Sequence, residues 1–542
     1  MNSGAGGRGE PRRPICTGKW QSPGIGPVRR SFPEERRRTM GSYTRLDDCL
    51  SIRDGHLFIE ECDTVDLVQR FGSPLFVFSE DQIRRNVRRF KKAFEAGWPN
   101  GPVKILPAAK ANWITAIQYI LADEDCGCDI YSPGELEIAL RAEFNPEFIS
   151  VNGVPKDEDH IYRCVQAGVR ITIDSMEELD VIERAAEELG RTAKVRLRLK
   201  PAISGFVAHS DFVPEGLVPT DLAAMVYKGG LTKDQVIALG QRILRMKRVQ
   251  LVGFHQHHGR HHRSTRYWEE QMKAFARDLG EVCQALGGFQ PQEIDIGGGF
   301  AVPRDPFNAA TDYTAPVEFA ALHTISRALK LLGDDIRYAV LARLVDTLVS
   351  EPNPTPAPSI EEYAEVCTRT LREELPRHGI RIEGLMLQVE PGRAIHGNAG
   401  IHLTRVCNIK RITSPIRWTI IVVDTTEFWF TGGRYEHHLH HYLFANKADA
   451  PLIGKADIVG RSCYGDRLMP IVRIPEVQVG DILAILDTGA YQEVSMSNFN
   501  ALPRPAAVLV TGDRAEVIRR REAQEEVFRR DVIPIHLQRA RA

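Results

Sequence analysis

The stretch Val103-Lys-Ile-Leu-Pro-Ala-Ala-Lys-Ala-Asn112 decides the fold that we expect, because in it an apolar strand runs straight into a lysine with small neighbours. Further short apolar runs follow along the chain, separated by stretches with helical character. This repetition is typical of a parallel sheet covered by helices, and eight units predict a closed (β/α)8 barrel. The predicted strands cover residues 103–107, 128–131, 148–152, 170–173, 194–199, 251–255, 293–296 and 385–389.

The residues that could carry chemistry follow these strands. In such a barrel the active site lies at the carboxyl ends of the strands. In this sequence the unusual residues at those positions are Lys110, Asp129, His257, the glycines after Ile296, and Glu390. We therefore expect a single site there.

The remainder of the chain has a different pattern of predicted strands and helices. Beyond about residue 400, strands follow one another without helices, which predicts an all-β domain over 401–535. Residues 43–74 also have the pattern of short strands, and we expect them to pair with that domain. The barrel is assigned to 75–400 with a helical insert at 304–357, and 1–42, rich in Gly, Pro and Arg, is expected to be a disordered basic tail.

The composition excludes several classes of partner. The 70 basic and 71 acidic residues leave a formal charge of −1, which gives no field that would attract nucleic acid or an anionic membrane. No apolar run approaches the roughly 20 residues of a membrane helix, and the N-terminus lacks a secretory pattern. The ten cysteines lack the spacing of a zinc site. We expect a cytoplasmic protein with a small-molecule partner.

Two motifs are suited to an amine and a phosphate. Lys110 ends its strand partly desolvated, which is expected to lower its pKa and make it a competent amine for a Schiff base. Gly297, Gly298 and Gly299 follow a strand, where backbone N–H groups free of side chains can hold a phosphate. A structural lysine and an ordinary glycine turn have the same local patterns.

Two further motifs are suited to a flat, charged cofactor. Val389-Glu-Pro-Gly-Arg393 places a carboxylate and a guanidinium three residues apart, suited to a ring nitrogen and a phosphate, although a surface salt bridge has the same pattern. His255 and His257 belong to a cluster of five histidines. Because the cluster has no acid or cysteine, we expect no metal and favour an imidazole stacked on a ring.

Taken in order, these motifs resemble the fold-type III decarboxylases that use pyridoxal 5'-phosphate (PLP), which include the diaminopimelate, ornithine and arginine decarboxylases. The likeness runs from about residue 45 to 530 and is greatest to diaminopimelate decarboxylase. Its motifs are Lys-Ala-Asn at 110–112, Cys-Asp-Ile-Tyr-Ser-Pro-Gly-Glu-Leu at 128–136, His-Gln-His-His-Gly at 255–259, Asp-Ile-Gly-Gly-Gly-Phe at 295–300, Glu-Pro-Gly-Arg at 390–393, the Cys463 loop, and Asp-Thr-Gly-Ala-Tyr-Gln at 487–492 with Phe499-Asn500.

The resemblance implies roles for the matching residues. Lys110 would form the Schiff base, His257 would stack on the cofactor ring, Glu390 would pair with the ring nitrogen, and Asp129 would lie nearby. The phosphate would be held by Gly297, Gly298, Gly299, Arg393 and Tyr491.

The resemblance also implies a homodimer in which each active site lies between the barrel of one subunit and the β domain of the other. Cys463 would be donated across the dimer and would protonate the carbanion left by carbon dioxide. Substrate would contact Arg393, Tyr491 and the Cys463 loop, including Tyr464 and Asp466.

Three positions depart from the family pattern. Arg260 replaces a small hydroxyl residue, Tyr464 stands where an acid would bind a distal ammonium, and Asp466 comes one residue early. The substrate could thus be diaminopimelate, as in lysine biosynthesis, or another basic, modified or carrier-linked amino acid. Racemisation and a catalytically silent regulator remain as alternatives, but the presence of Lys110 and Glu390 favours an enzyme.

Overall fold

The computed structural model of the chain describes residues 46–200, 203, 206–210, 213–219, 227–257, 259, 262–303, 323–350, 357–430 and 439–538. From residue 40 onward the chain forms one compact unit. Among the described residues, no helix combines the length and the apolar character that crossing a membrane requires.

The described strands, in chain order, are β1 Leu50–Arg53, β2 His56–Ile59, β3 Cys62–Asp63, β4 Leu75–Ser79, β5 Val103–Ile105, β6 Cys128–Ile130, β7 Ile149–Val151, β8 Arg170–Ile173, β9 Ala193–Leu199, β10 Val207–Ser210, β11 Val213–Pro219, β12 Val249–Gln256, β13 Glu293–Asp295, β14 Met386–Val389, β15 Gly400–Ile412, β16 Trp418–Val423, β17 Tyr442–Phe444, β18 Gly454–Val459, β19 Arg467–Ile474, β20 Ile482–Ile485, β21 Ala506–Thr511 and β22 Arg514–Arg519.

The described helices are α1 Thr64–Phe71, α2 Glu80–Gly97, α3 Thr115–Asp123, α4 Pro133–Arg141, α5 Glu158–Ala167, α6 Glu178–Glu188, α7 Lys233–Ile243, α8 Thr265–Ala285, α9 Asp334–Thr347, α10 Ile360–Arg377, α11 Arg393–His396 and α12 Gln524–Val527. Several of them begin where the sequence supplies a cap. Ser359 and Glu362, for example, form a reciprocal capping box that starts α10.

Eight parallel strands form the predicted barrel. Its sheet has the order β5-β14-β13-β12-β9-β8-β7-β6, so that β14 pairs with β5. A bridge between Ala108 and Asp129 brings the ends of the sheet together, with the Asp129 N–H donating to the Pro107 carbonyl at 3.2 Å. Each predicted strand coincides with one barrel strand, and the (β/α)8 expectation is confirmed.

Charged side chains fill part of the barrel interior. Arg196 is fully buried and donates to Asp295 Oδ2 at 2.7 Å and to Gln388 Oε1 at 2.6 Å. Below it, Arg170 Nε lies 3.1 Å from Glu293. Since an unpaired buried charge would be very costly, each of these charges is paired with a group on a strand across the barrel interior.

A second sheet contains β19-β18-β16-β15-β4-β21-β22, with β20 also paired to β15 and β17 to β20. The expectation that residues from 75 onward belong to the barrel is wrong for β4, which lies between β15 and β21 in this sheet. β4 is buried at every position, as a central strand requires.

The N-terminal strands are joined to the β domain differently from what the sequence predicts. β1, β2 and β3 form their own antiparallel sheet rather than an extension of the larger one. They share an apolar core with the β domain, and single backbone bonds such as Leu57 N–H to the Ala445 carbonyl (2.7 Å) connect the two. The contact with the β domain is therefore made through packing more than through strand pairing.

The helical insert reaches the β domain. Residues 323–329 and α9 are helical, whereas 304–322 and 351–356 lie outside the described residues, as do 1–45. Lys455 Nζ donates to the carbonyls of Asp346 (2.6 Å) and Leu348 (3.1 Å), and Ser350 N–H donates to the Ile471 carbonyl at 2.9 Å. The C-terminal end of α9 is thus held by β18 and β19.

The buried His396 should make the stability of the protein depend on pH. It is buried, neither ring nitrogen has a hydrogen-bond partner among the described residues, and burial lowers its pKa to about 3. As the pH falls below the ordinary histidine pKa of about 6.5, the unfolded chain takes up a proton at this position and the folded chain does not. The free energy of unfolding therefore decreases by up to about 1.4 kcal/mol per pH unit. We expect the melting temperature of His396→Leu to fall less between about pH 7 and about pH 5 than that of wild type.

Exposed His536 provides the matched control, and His536→Leu should keep the wild-type pH dependence. Equal slopes for all three cofactor-free proteins would contradict the assignment of this cost to His396.

Candidate active site

A cavity of about 490 Å³ opens at the carboxyl end of the barrel. This volume is within the roughly 300–1,000 Å³ that is typical of small-molecule sites. The lining residues come from six of the eight barrel strands and the segments after them: Lys110, Asp129, Tyr131, Asn152, Arg198, Tyr227, Lys228, His255, His257 and Glu390. Four residues that the sequence selected, at positions 110, 129, 257 and 390, are therefore brought together.

Lys110 lies in the short helical turn Ala109–Ala111 that follows β5. Its Nζ donates to Asp129 Oδ2 at 2.8 Å. Burial alone would lower the pKa of Lys110, but the charges of Asp129, Tyr491 and Glu390 outweigh burial and raise that pKa above its usual range. The expected lowering of the lysine pKa is therefore wrong for the cofactor-free protein, because the sequence did not reveal the carboxylates around the amine.

Hydrogen bonds with the β domain hold the turn that contains Lys110. Tyr491 N–H donates to the Ala111 carbonyl at 2.8 Å, and Asn112 Nδ2 donates to the Gly489 carbonyl at 3.0 Å. A side chain at Gly489 would meet the His396 carbonyl at 1.9 Å, so that only glycine permits this approach. The Asp-Thr-Gly-Ala-Tyr-Gln motif thus belongs to the site through backbone contacts.

Glu390 follows β14 and is buried beside a second carboxylate. Asn152 Nδ2 donates to Glu390 Oε1 at 2.5 Å and to Asp129 Oδ1 at 2.8 Å. His255 Nε2 lies 3.3 Å from Glu390 Oε2. Burial and the neighbouring Asp129 raise the pKa of Glu390 above its usual range. A cation placed against Glu390 would relieve this cost.

Asp295 forms the layer beneath Glu390. Its Oδ2 accepts from Arg196, and its Oδ1 accepts from the Gly297 N–H at 2.9 Å. Burial and Glu390 raise the pKa of Asp295 to about 7, whereas burial lowers the pKa of His255 to about 3. Ligand atoms of His255, Asp295 and Glu390 lie within 4.8 Å of one another, but Asp295 is already neutralised by Arg196.

The glycine turn lies next to His257. Gly297 has φ = 69°, a conformation that favours glycine, and a side chain at Gly298 would meet the Glu390 carbonyl at 2.2 Å. Gly298 N–H donates to His257 Nδ1 at 3.3 Å, which leaves the ring hydrogen of a neutral His257 on Nε2. Nearby, the Arg393 guanidinium lies 5.0 Å from the Tyr491 ring centre.

These residues fit PLP by their chemistry. The cavity contains a lysine amine for the aldehyde, and a buried carboxylate whose charge is costly until a cationic ring nitrogen compensates it. A glycine turn with no side chains in the way and a buried guanidinium, that of Arg393, suit a phosphate.

The Cys463 loop lies elsewhere on the subunit, and its residues are absent from the cavity lining. Cys463 is exposed, its N–H donates to Asn500 Oδ1 at 2.9 Å, and Asn500 Nδ2 donates to its Sγ at 3.2 Å. Exposed Tyr464 meets the Phe428 ring edge-on at 5.8 Å, and Phe428 stacks on Phe499 at 4.1 Å. The residues next to Cys463 and Asn500 along the chain, Tyr464 and Phe499, thus form an aromatic cluster with Phe428.

Asp466, which the resemblance predicts to contact substrate, is hydrogen-bonded within its own loop. It is buried, with Oδ1 accepting from Thr426 Oγ1 (3.1 Å) and Glu427 N–H (2.6 Å), and Oδ2 accepting from Ser462 N–H (2.7 Å). Both oxygens are used to shape the loop, so this carboxylate is not available to an ammonium group.

Asn152 and Arg196 are site residues that the sequence motifs do not predict. Asn152 directly follows β7, and its signal was a polar side chain at the position where barrels carry chemistry. Arg196 is one of three basic residues that alternate with apolar residues along β9, a pattern that does not single it out. His258, Arg260 and His261 lie outside the described residues.

Comparison with known proteins places these features in a family. Residues 80–330 match the family model described as "Pyridoxal-dependent decarboxylase, pyridoxal binding domain". The diaminopimelate decarboxylase of Methanocaldococcus jannaschii is 28% identical over 504 residues, covering 91% of this chain and 98% of that protein. The enzyme of the same name from Pseudomonas aeruginosa is 29% identical over 483 residues, with coverage of 89% and 98%.

The fold gives the same result. The crystal structure of the Methanocaldococcus jannaschii diaminopimelate decarboxylase in complex with L-lysine superimposes with a TM-score of 0.74 at 26% identity, covering 91% of this chain and 100% of that one. The lysine, the carboxylates and the glycine turn thus meet in a barrel that is similar to that of the PLP-dependent decarboxylases, and along most of its length the chain resembles the diaminopimelate decarboxylases.

Proposed function

We propose that the protein decarboxylates an amino acid at the carboxyl end of its barrel, with Lys110 as the residue that attaches PLP. The observation that carries this proposal is the arrangement of Lys110, Asp129 and Glu390 in one cavity, where the amine and the ring-nitrogen carboxylate are linked through Asp129 and Asn152. Diaminopimelate is the first substrate to test, because the relatives are named for it and its decarboxylation yields lysine.

When bound, PLP supplies the aldehyde that takes up the substrate amine. It also supplies a ring that accepts the electron pair left on the substrate carbon when carbon dioxide departs. The protein's own residues prepare for this. Asp129 holds the Lys110 ammonium at 2.8 Å and can receive its hydrogen bond again after each turnover. Glu390, buried and short of positive charge, favours a protonated ring nitrogen.

The remaining cofactor contacts follow from the same arrangement. His257, oriented by Gly298 N–H, presents its imidazole to the cavity and would stack on the ring. Gly297, Gly298 and Gly299, with Arg393 and Tyr491, would bind the phosphate. Arg393 and Tyr491 would also border the substrate.

We further propose a cytoplasmic homodimer with shared active sites. Cys463 and Tyr464 are exposed and are absent from the cavity lining of their own subunit, which supports their donation to the partner's site. There Cys463 would return a proton to the substrate carbon, and Tyr464 would contact the side chain of the substrate. Asp466 would act on substrate only by holding the loop in shape.

The function is tested by a screen of amino acids for carbon dioxide release with PLP present, beginning with diaminopimelate, lysine, ornithine and arginine. Lys110→Ala should lose turnover by about 10³-fold, since it removes both the covalent anchor and a proton carrier. Lys92→Ala, on the exposed surface of α2, is the matched control. After borohydride reduction, mass spectrometry should find the pyridoxyl group on Lys110, and its presence on another lysine would refute the proposal.

The rate of cofactor loading should depend on pH. Because carboxylates hold Lys110 as an ammonium ion, the neutral amine becomes about tenfold more abundant for each pH unit, and loading should accelerate between about pH 6.5 and about pH 8.5. Asp129→Asn removes the largest attraction, so its profile should move to lower pH. Stopped-flow absorbance after mixing with PLP measures this rate.

The exposed Asp234→Asn on α7 serves as the control and should retain the wild-type profile. A loading rate that is flat with pH, or an Asp129→Asn profile identical to the control, would contradict the role of this ion pair.

Shared sites predict complementation between inactive subunits. Lys110→Ala and Cys463→Ala damage different parts of the site, so a heterodimer would contain one intact site. Random mixing by mild denaturation and refolding should restore about a quarter of wild-type activity, as expected for a symmetric dimer with sites between subunits. Mixtures that stay as inactive as their parents would show that each subunit builds its own site.

A further inference from the structure

Asn152 occupies the centre of the polar network in the cavity. It follows β7, the neighbour of β6, which carries Asp129, and its side chain reaches Glu390, which follows β14. The side chain is buried, and it is one of the residues that line the cavity. The motifs shared with the family assign no role to Asn152. Its role is inferred from its contacts.

The hydrogen bonds of Asn152 define the orientation of its amide. Nδ2 has two hydrogens and two carboxylate acceptors, Asp129 Oδ1 at 2.8 Å and Glu390 Oε1 at 2.5 Å. On its other side, Oδ1 accepts from Ser150 Oγ at 3.2 Å, and Ser150 accepts from Arg196. Rotating the amide would place its oxygen against two carboxylates, so the network permits only one orientation.

Glu390 is surrounded by charges from most of the barrel. The charged or titratable groups that face it are Lys110 after β5, Asp129 on β6, Arg196 on β9, His255 on β12 and Asp295 on β13. Asp129 repels the Glu390 charge, whereas a hydrogen bond with Asp295 favours it. Asn152 contributes the neutral donor that lies between Asp129 and Glu390, and it satisfies one oxygen of each.

We propose that Asn152 is a positioning residue that holds the Lys110 counter-ion Asp129 and the ring-nitrogen carboxylate Glu390 in register with one another. The inference rests on the proposed function, because it assigns Glu390 to the cofactor ring. Asn152 acts on the cofactor through these two carboxylates. With the Asn152 amide bonded to both carboxylates, Asp129 remains directed at the Lys110 amine. Glu390 then keeps its second oxygen, Oε2, for other partners.

The test uses the PLP-loaded enzyme and two variants. Asn152→Leu keeps the approximate volume and removes both donors, whereas Asn152→Asp keeps the shape and adds a third carboxylate. Loss of hydrogen bonds to charged groups should accelerate PLP release on dialysis by about tenfold in Asn152→Leu, and by more in Asn152→Asp. The pH midpoint of the cofactor absorbance should shift by about one unit, a spectroscopic change that general loosening of the barrel would not produce.

Thr172→Val is the matched control. Thr172 is fully buried on the neighbouring strand β8, and its hydroxyl has no hydrogen-bond partner among the described residues. The melting temperatures of the cofactor-free proteins are measured in parallel, so that unfolding is separated from altered positioning.

The outcomes separate the two proposals. Wild-type protein that shows no cofactor absorbance overturns the proposed function and this inference together. Wild-type absorbance with Asn152 variants that match Thr172→Val in release rate and pH midpoint overturns the positioning role alone. If Asn152→Leu does not fold, Asn152→Asp decides by the same two measurements.

Discussion

Two carboxylates, Asp129 and Glu390, are buried side by side at the mouth of the barrel, and the electrostatic cost of keeping them there governs the site around them. A lysine ammonium lies against one of them, and an amide donor, Asn152, lies between the two. Burial and mutual repulsion raise the pKa of Glu390. The cofactor-free site is therefore short of positive charge where a cationic ring would bind, which makes it selective for such a ring.

The same constraint extends below the site. Arg196 compensates Asp295, which lies beneath Glu390, and Arg170 compensates Glu293 further down. The charges inside the barrel are thus paired between strands, which avoids the cost of an unpaired charge in the layers beneath Glu390.

The β domain completes the site in two ways. Its Gly-Ala-Tyr turn binds the backbone of the lysine turn, so that the anchor residue is fixed by a part of the chain nearly 400 positions away. Another of its loops contains the exposed Cys463 and is shaped by hydrogen bonds to the buried Asp466. The insert is attached to the strand that follows this loop, which places α9 beside the same part of the domain.

The sequence by itself determined the barrel, the site lysine and the glycine turn, because apolar periodicity and glycine requirements are local properties of the chain. It could not reveal that β4 joins the second sheet or that Lys110 is held as an ammonium ion. Nor could it reveal that the Asp466 carboxylate is hydrogen-bonded within its own loop. Nor could it single out Asn152, whose partners lie 23 and 238 positions away. These features depend on distances between groups remote in sequence, and only the tertiary structure brings those groups together.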